Sequence, residues 1–240
     1  MQRTYKFKNI SKLTQKRISR KTAIHEAGHA AAIYLGNQQK GLPPSFFKIL
    51  IHRVNSDVHS FKSIRKPSDR YIAKVCGGRL IRCLPLSHDD IAKELYTNWK
   101  HSQQCFFEAD IINLLAGPLA EARYVALRDD ELINPQLVNV NALHNYGGSY
   151  DLEIVSEYLK CFIDSDELRE RKMTELFLAA FNFVSEQSNW LAITALADYI
   201  LAENKYIIEC NEIITVLESA KRTTPVMLNE NRTFSYAAAV

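Results

Sequence analysis

Residues 22–36 read TAIHEAGHAAAIYLG, and within them His25, Glu26 and His29 spell HExxH. Residues four apart on an α-helix differ by about 40° in azimuth and roughly 6 Å in height, so both imidazoles leave one face and can clamp a single metal ion. Glu26, about 100° round from His25, reaches a water on that ion without being a ligand itself. The plainer reading of the same letters is a core helix whose two histidines hydrogen-bond to neighbours, since short motifs arise by accident. Ala23, Ala27, Gly28, Ala30, Ala31 and Ala32 favour chemistry, because they keep the helix slim enough for close packing.

Working outward, the 240 residues are 47% hydrophobic, enough to bury a substantial core as one domain with tails. A formal charge of +3 gives no argument for nucleic acid. The five cysteines, Cys76, Cys83, Cys105, Cys161 and Cys210, are odd in number and contain no CxxC pair. They read as reduced and mostly buried, which points to a cytoplasmic, reducing compartment. No apolar run approaches the roughly 18 residues of a membrane span. Residues 1–22 hold eight Lys and Arg and no acid. They read as a solvated basic lead-in, with organelle targeting as the functional alternative.

After the motif helix the pattern turns extended. Residues 46–54 (FFKILIHRV) and 71–84 (YIAKVCGGRLIRCL) are rich in aromatic and β-branched residues and read as a small sheet. Ser87 with Asp90 resembles a capping box opening a helix to about Lys100. Apolar residues from Cys105 to Arg128 recur at helical spacing, with a kink or restart expected at Gly117-Pro118. Residues 129–148 read as a loop ending in Gly147-Gly148, after which Ser149 is expected to cap a helix. Helices over 168–187, 190–203 and 211–220 follow. The fold class is therefore mainly α, with a small β-sheet between the HExxH helix and the later helices. Residues 222–240 read as a flexible C-terminal tail.

A catalytic zinc takes three protein ligands and keeps one position open. No His or Glu follows HExxH at short-linker spacing, so the third ligand is remote in sequence. Asp151, Glu121, Asp110 and His144 are candidates. Asp151 has the best local argument, because its carboxylate falls in the first turn of a helix, where the charged form is favoured.

Three motifs, HEAGHA (25–30), LLAGPLAEA (114–122) and GGSYDLE (147–153), resemble in that order and at similar separations the peptidase domain of FtsH-type ATP-dependent zinc proteases. The closing pattern 190–217 resembles that family too, and the likeness covers about residues 10–220. It implies a helical zinc-peptidase domain over residues 23–221, with Zn²⁺ held by His25, His29 and Asp151 and Glu26 as general base. Glu121 matches the family's middle acidic residue and is expected near the zinc helix, supporting a ligand or packing. The strand around Cys76, Gly77, Gly78, Arg79 and Leu80 resembles the edge strand that binds an extended peptide by strand addition.

Two departures stand out. Pro118 replaces the family's Arg, and Tyr150 replaces the Asn beside the ligand. No GxxxxGK[ST] loop is present, so ATP-driven unfolding by this chain is not expected. The resemblance implies a zinc endopeptidase acting on unfolded or flexible protein segments, with a separate unfolding partner or a homo-oligomer left open. The rival from another class is a binding or regulatory module that keeps the fold and no longer cleaves; an intact Glu26 argues against it. Nucleic-acid binding lacks a motif, and nucleophilic hydrolysis lacks GxSxG or a Cys beside a plausible His.

Overall fold

The computed structural model describes residues 18–51, 73–81, 93–203 and 205–222. The expectations for 52–54, 71–72 and 82–84, for the Ser87–Asp90 cap, and for residues 1–17 and 223–240 lie outside the described residues.

The motif helix α1 runs Arg20–Ala31, two residues earlier than its apolar pattern suggests. Ser19 caps it, its hydroxyl accepting from the Thr22 amide at 3.1 Å. Arg20 and Lys21 therefore belong to this helix and not to the lead-in. Residues Ala23–Ala31 are all buried, and the helix continues as a π-helical turn, Ala32–Gly36, into the short α2, Asn37–Gln39. Burial on every side explains the small side chains. α1 packs chiefly on α3 (Lys93–Arg128) and α6 (Gln187–Ala202), and a Cβ on Gly28 would lie 2.7 Å from the Ala116 carbonyl oxygen.

The expected break at Gly117-Pro118 is corrected: α3 passes through both residues as one helix of 36 residues. Pro118 deprives the helix of one amide donor. Packing holds the helix together there, since Leu115, Ala116, Leu119 and Ala120 around it are fully buried. The proline ring covers Gly148, where a Cβ would meet it at 2.8 Å.

Strands β1 (Phe47–Ile51) and β2 (Ala73–Gly77) pair antiparallel, Ile49 opposite Val75. Phe47, Ile49 and Ile51 face the core while Lys48 and Leu50 face outward. A third strand not expected from sequence, β3 (Ile207–Ile208), pairs with β1, giving the order β2-β1-β3 and, among the described residues, leaving β2 at an edge. The remaining elements are a 3₁₀ helix at Val140–Tyr146 inside the expected loop, α4 (Ser149–Phe162), α5 (Asp166–Ser185) and α7 (Cys210–Arg222). Ile193, Leu196 and Ile200 of α6 with Ile213 and Leu217 of α7 are essentially unexposed. Each such side chain contributes about 1.5–3 kcal/mol by leaving water. Among the described residues no helix is long and apolar enough to cross a membrane.

Candidate metal centre

His25, Glu26, His29 and Asp151, each 8% exposed or less, meet where α1, α3, β2 and the start of α4 converge. The Nε2 atoms of His25 and His29 stand 3.1 Å apart, and Asp151 Oδ2 lies 3.4 Å from the first and 3.6 Å from the second. Ligand atoms around a four-coordinate ion with bonds of about 2.0–2.1 Å are spaced about 3.3–3.4 Å apart. The triangle therefore has the dimensions of one face of such a shell, and His25, His29 and Asp151 can hold a metal ion.

The outer nitrogens decide what the inner ones offer. Nδ1 of His29 is 2.8 Å from the Asn113 carbonyl oxygen, which only accepts, so Nδ1 carries the proton and Nε2 presents a lone pair. Nδ1 of His25 is 3.2 Å from Glu121 Oε2, and Lys21 Nζ is 3.2 Å from Glu121 Oε1. Glu121 thus orients His25. Three acceptors directed at one point repel unless a cation or a proton sits among them. Burial pushes the His25 imidazole towards neutrality, yet the Asp151 and Glu121 carboxylates outweigh it and raise the pKa from 6.5 to about 10. Burial likewise opposes the Asp151 charge, but His29 and His25 hold its carboxyl well below the ordinary range. The metal-free centre so keeps a proton where a metal would bind.

Glu26 is set apart from the triangle. Burial raises its pKa, partly offset by the two histidines. Its Oε2 accepts the Val75 amide of β2 at 2.7 Å. Sequence reading did not single out Val75 or Asn113, because backbone donors and acceptors have no signature in the letters.

Asp151 lies in the first turn of α4, as expected, but the cap is corrected: Gly148 is the N-cap residue, and the Ser149 hydroxyl instead pairs with His144 Nδ1 at 3.1 Å. Exposed His144 stays out of the centre. Gly147 adopts φ 74°, a left-handed turn that a glycine accepts freely, and a Cβ there would come within 3.2 Å of the His25 ring. Asp110 is also no ligand: at 1% exposure its two oxygens accept the amides of Leu80 (2.9 Å) and Ile81 (3.1 Å).

Those bonds revise the strand candidates. β2 ends at Gly77, and the chain turns away over 78–81. Gly77, Gly78 and Arg79 line the cleft that opens onto the centre, together with Lys74, Val75 and Tyr150; Cys76 and Leu80 do not. The Leu80 amide is committed to Asp110, so it has no donor for a peptide. No protein-family model matches the chain, and no curated protein matches it either.

Proposed function

We propose that this chain is a zinc-dependent endopeptidase that hydrolyses peptide bonds in unfolded or flexible protein segments without an ATPase of its own. One observation carries the reading: a triangle of metal-ligand size stands beside a buried carboxylate outside it, in a cleft walled by β2, an edge strand among the described residues. A likeness to FtsH-type peptidase domains rests on the three sequence motifs and agrees with the same residues.

Bound zinc would supply Lewis acidity and make a water acidic enough to lose a proton near neutral pH. Glu26 receives that proton and passes it to the leaving amine; its burial brings its pKa up towards the working range. The Val75 amide fixes one carboxylate oxygen and leaves the other for the exchange. His29 and His25 stay in one orientation through Asn113 and Glu121. An extended substrate lies along β2. Cys76, Cys161 and Cys210 are thiols, which suits a reducing, cytoplasmic setting.

The test is metal analysis of the purified chain beside hydrolysis of a flexible peptide, with and without a chelator, in the native protein and in Glu26→Gln. The reading expects one zinc per chain in both forms and cleavage at least about a hundredfold slower in the variant, within the general-base range. Zinc without chelator-sensitive cleavage would instead favour a non-cleaving binding module. Cleavage surviving both treatments would mean a different active site.

A further inference from the structure

The contact of α1 with α3 beside His29 is smooth, since Gly28 packs on Ala116, Gly117 and Ala120. Helices interlock through ridges and grooves, and residues this small make shallow ones, so they allow close approach without fixing how far one helix slides along the other. The centre depends on that register. His29 Nδ1 must meet the Asn113 carbonyl oxygen, and its ring must lie over Gly117.

One polar pair ties α3 to the far end of the same continuous helix. Asn113 Nδ2 donates to Asn37 Oδ1 at 3.4 Å in a buried setting, while the Asn113 carbonyl holds His29. Asn37 is 3% exposed, and its Nδ2 has no hydrogen-bond partner among the described residues. A buried donor without a partner lowers stability. Paired helices retain such an asparagine where it sets their register at a cost in stability.

The π-helical turn accounts for the position of Asn37. In an uninterrupted α-helix, eight residues on from His29, its side chain would stand about 80° away from the His29 face. A π-turn absorbs one extra residue, which leaves the equivalent of seven steps and brings Asn37 back to within about 20° of that face. Ala32–Gly36 makes that turn. The backbone there is anchored as well, the Asn37 carbonyl accepting the Lys40 amide at 3.2 Å and the Leu42 amide at 3.0 Å.

We propose that Asn37 is a positioning residue of the metal centre: through the Asn113 side chain it fixes the register of α1 on α3, and so holds the His29 imidazole in its ligand position. The inference rests on the zinc reading of the centre and extends it to a residue outside the His25, His29 and Asp151 triangle.

The test is a double-mutant cycle on Asn37→Ala and Asn113→Ala, the second of which keeps the carbonyl that holds His29. Zinc affinity is read by competition with a chromogenic chelator, and the His29 tautomer of the metal-free protein by ¹⁵N NMR. Each single variant is expected to bind zinc about 10-fold more weakly, the lower end for supports of a metal ligand, and the double variant hardly more weakly than either. The native protein should show one His29 tautomer, with the proton on Nδ1, and the variants a mixture. A purely structural pair would lower the urea midpoint and leave affinity and tautomer as they are, which overturns the proposal. A double variant that loses the product of the two single effects overturns it too. If Asn37→Ala does not fold, Asn113→Ala decides alone, native affinity with a fixed tautomer being the overturning result. A native chain that binds no zinc sinks the metal reading instead, and the tautomers then decide the register.

Discussion

Gly117 and His29 share one space: a Cβ on Gly117 would lie 2.3 Å from His29 Nε2, a ligand-facing atom of the centre. The glycine in the middle of α3 is thus a recess for an imidazole, at a position where helix propensity alone would favour alanine by about 1 kcal/mol.

Gly117→Ala is accordingly expected to turn the His29 ring and break its 2.8 Å bond to Asn113. Zinc affinity, read by competition with a chromogenic chelator, should fall on the order of 10- to 100-fold, as for other disturbed ligand supports. Unchanged affinity would show that the ring has room after all.

Asp151→Ala removes one corner of the triangle and should empty most of the metal from the purified protein. Glu121→Gln keeps all three corners and loses only the acceptor behind His25, so stoichiometry should hold while affinity drops roughly 10- to 100-fold. The opposite ranking in metal analysis would transfer the ligand role to Glu121.

Asp110→Ala leaves the centre intact and strands the amides of Leu80 and Ile81. Each stranded donor costs about 1–3 kcal/mol. Urea unfolding should show a loss of that order with zinc content preserved; a stable variant that cannot hold zinc would make Asp110 a ligand.

Stability against pH separates the metal-free and loaded proteins. The folded pKa of His25 is raised, so the stability its proton supplies is complete below about 6.5 and is lost as pH climbs towards about 10. Glu26, also raised, acts in the same sense nearer its own ordinary range. Asp151 and Glu121 are depressed, so their contributions are complete above the carboxylate range and add no slope there. Chelated protein should lose stability between pH 6.5 and 9.5, with a slope approaching about 1.4 kcal/mol per pH unit for one proton. Zinc replaces that proton and should flatten the curve. Thermal melts across the series decide it, and a flat or rising chelated curve contradicts the assignment.

The legible parts of this molecule were those written in side-chain type and spacing. HExxH announced α1 and its paired imidazoles, and the first-turn position of Asp151 placed a carboxylate where the structure has it. Apolar spacing found α5, α6 and α7 to within a few residues. The misreadings were tertiary. Pro118 sits within a continuous α3 because buried neighbours hold it, and β3 is two residues long, too short for alternation to register. Ser149 has the letter of a cap, yet its hydroxyl is taken by His144.

The bond from the Val75 amide to Glu26 also takes a donor away from the outer edge of β2. The Gly78 amide donates to the Phe46 carbonyl oxygen, so by alternation Cys76 and Lys74 point their backbone groups at β1, while Ala73, Val75 and Gly77 point theirs away. Of those three outward donors the central one is already taken. A chain added to β2 would find the Val75 amide occupied, and its own carbonyl opposite that amide would have to bond elsewhere. A proline in the guest would not relieve this, because it lacks a donor while the group left over is an acceptor. One guest carbonyl would thereby be left without a strand partner beside the carboxylate proposed as the base.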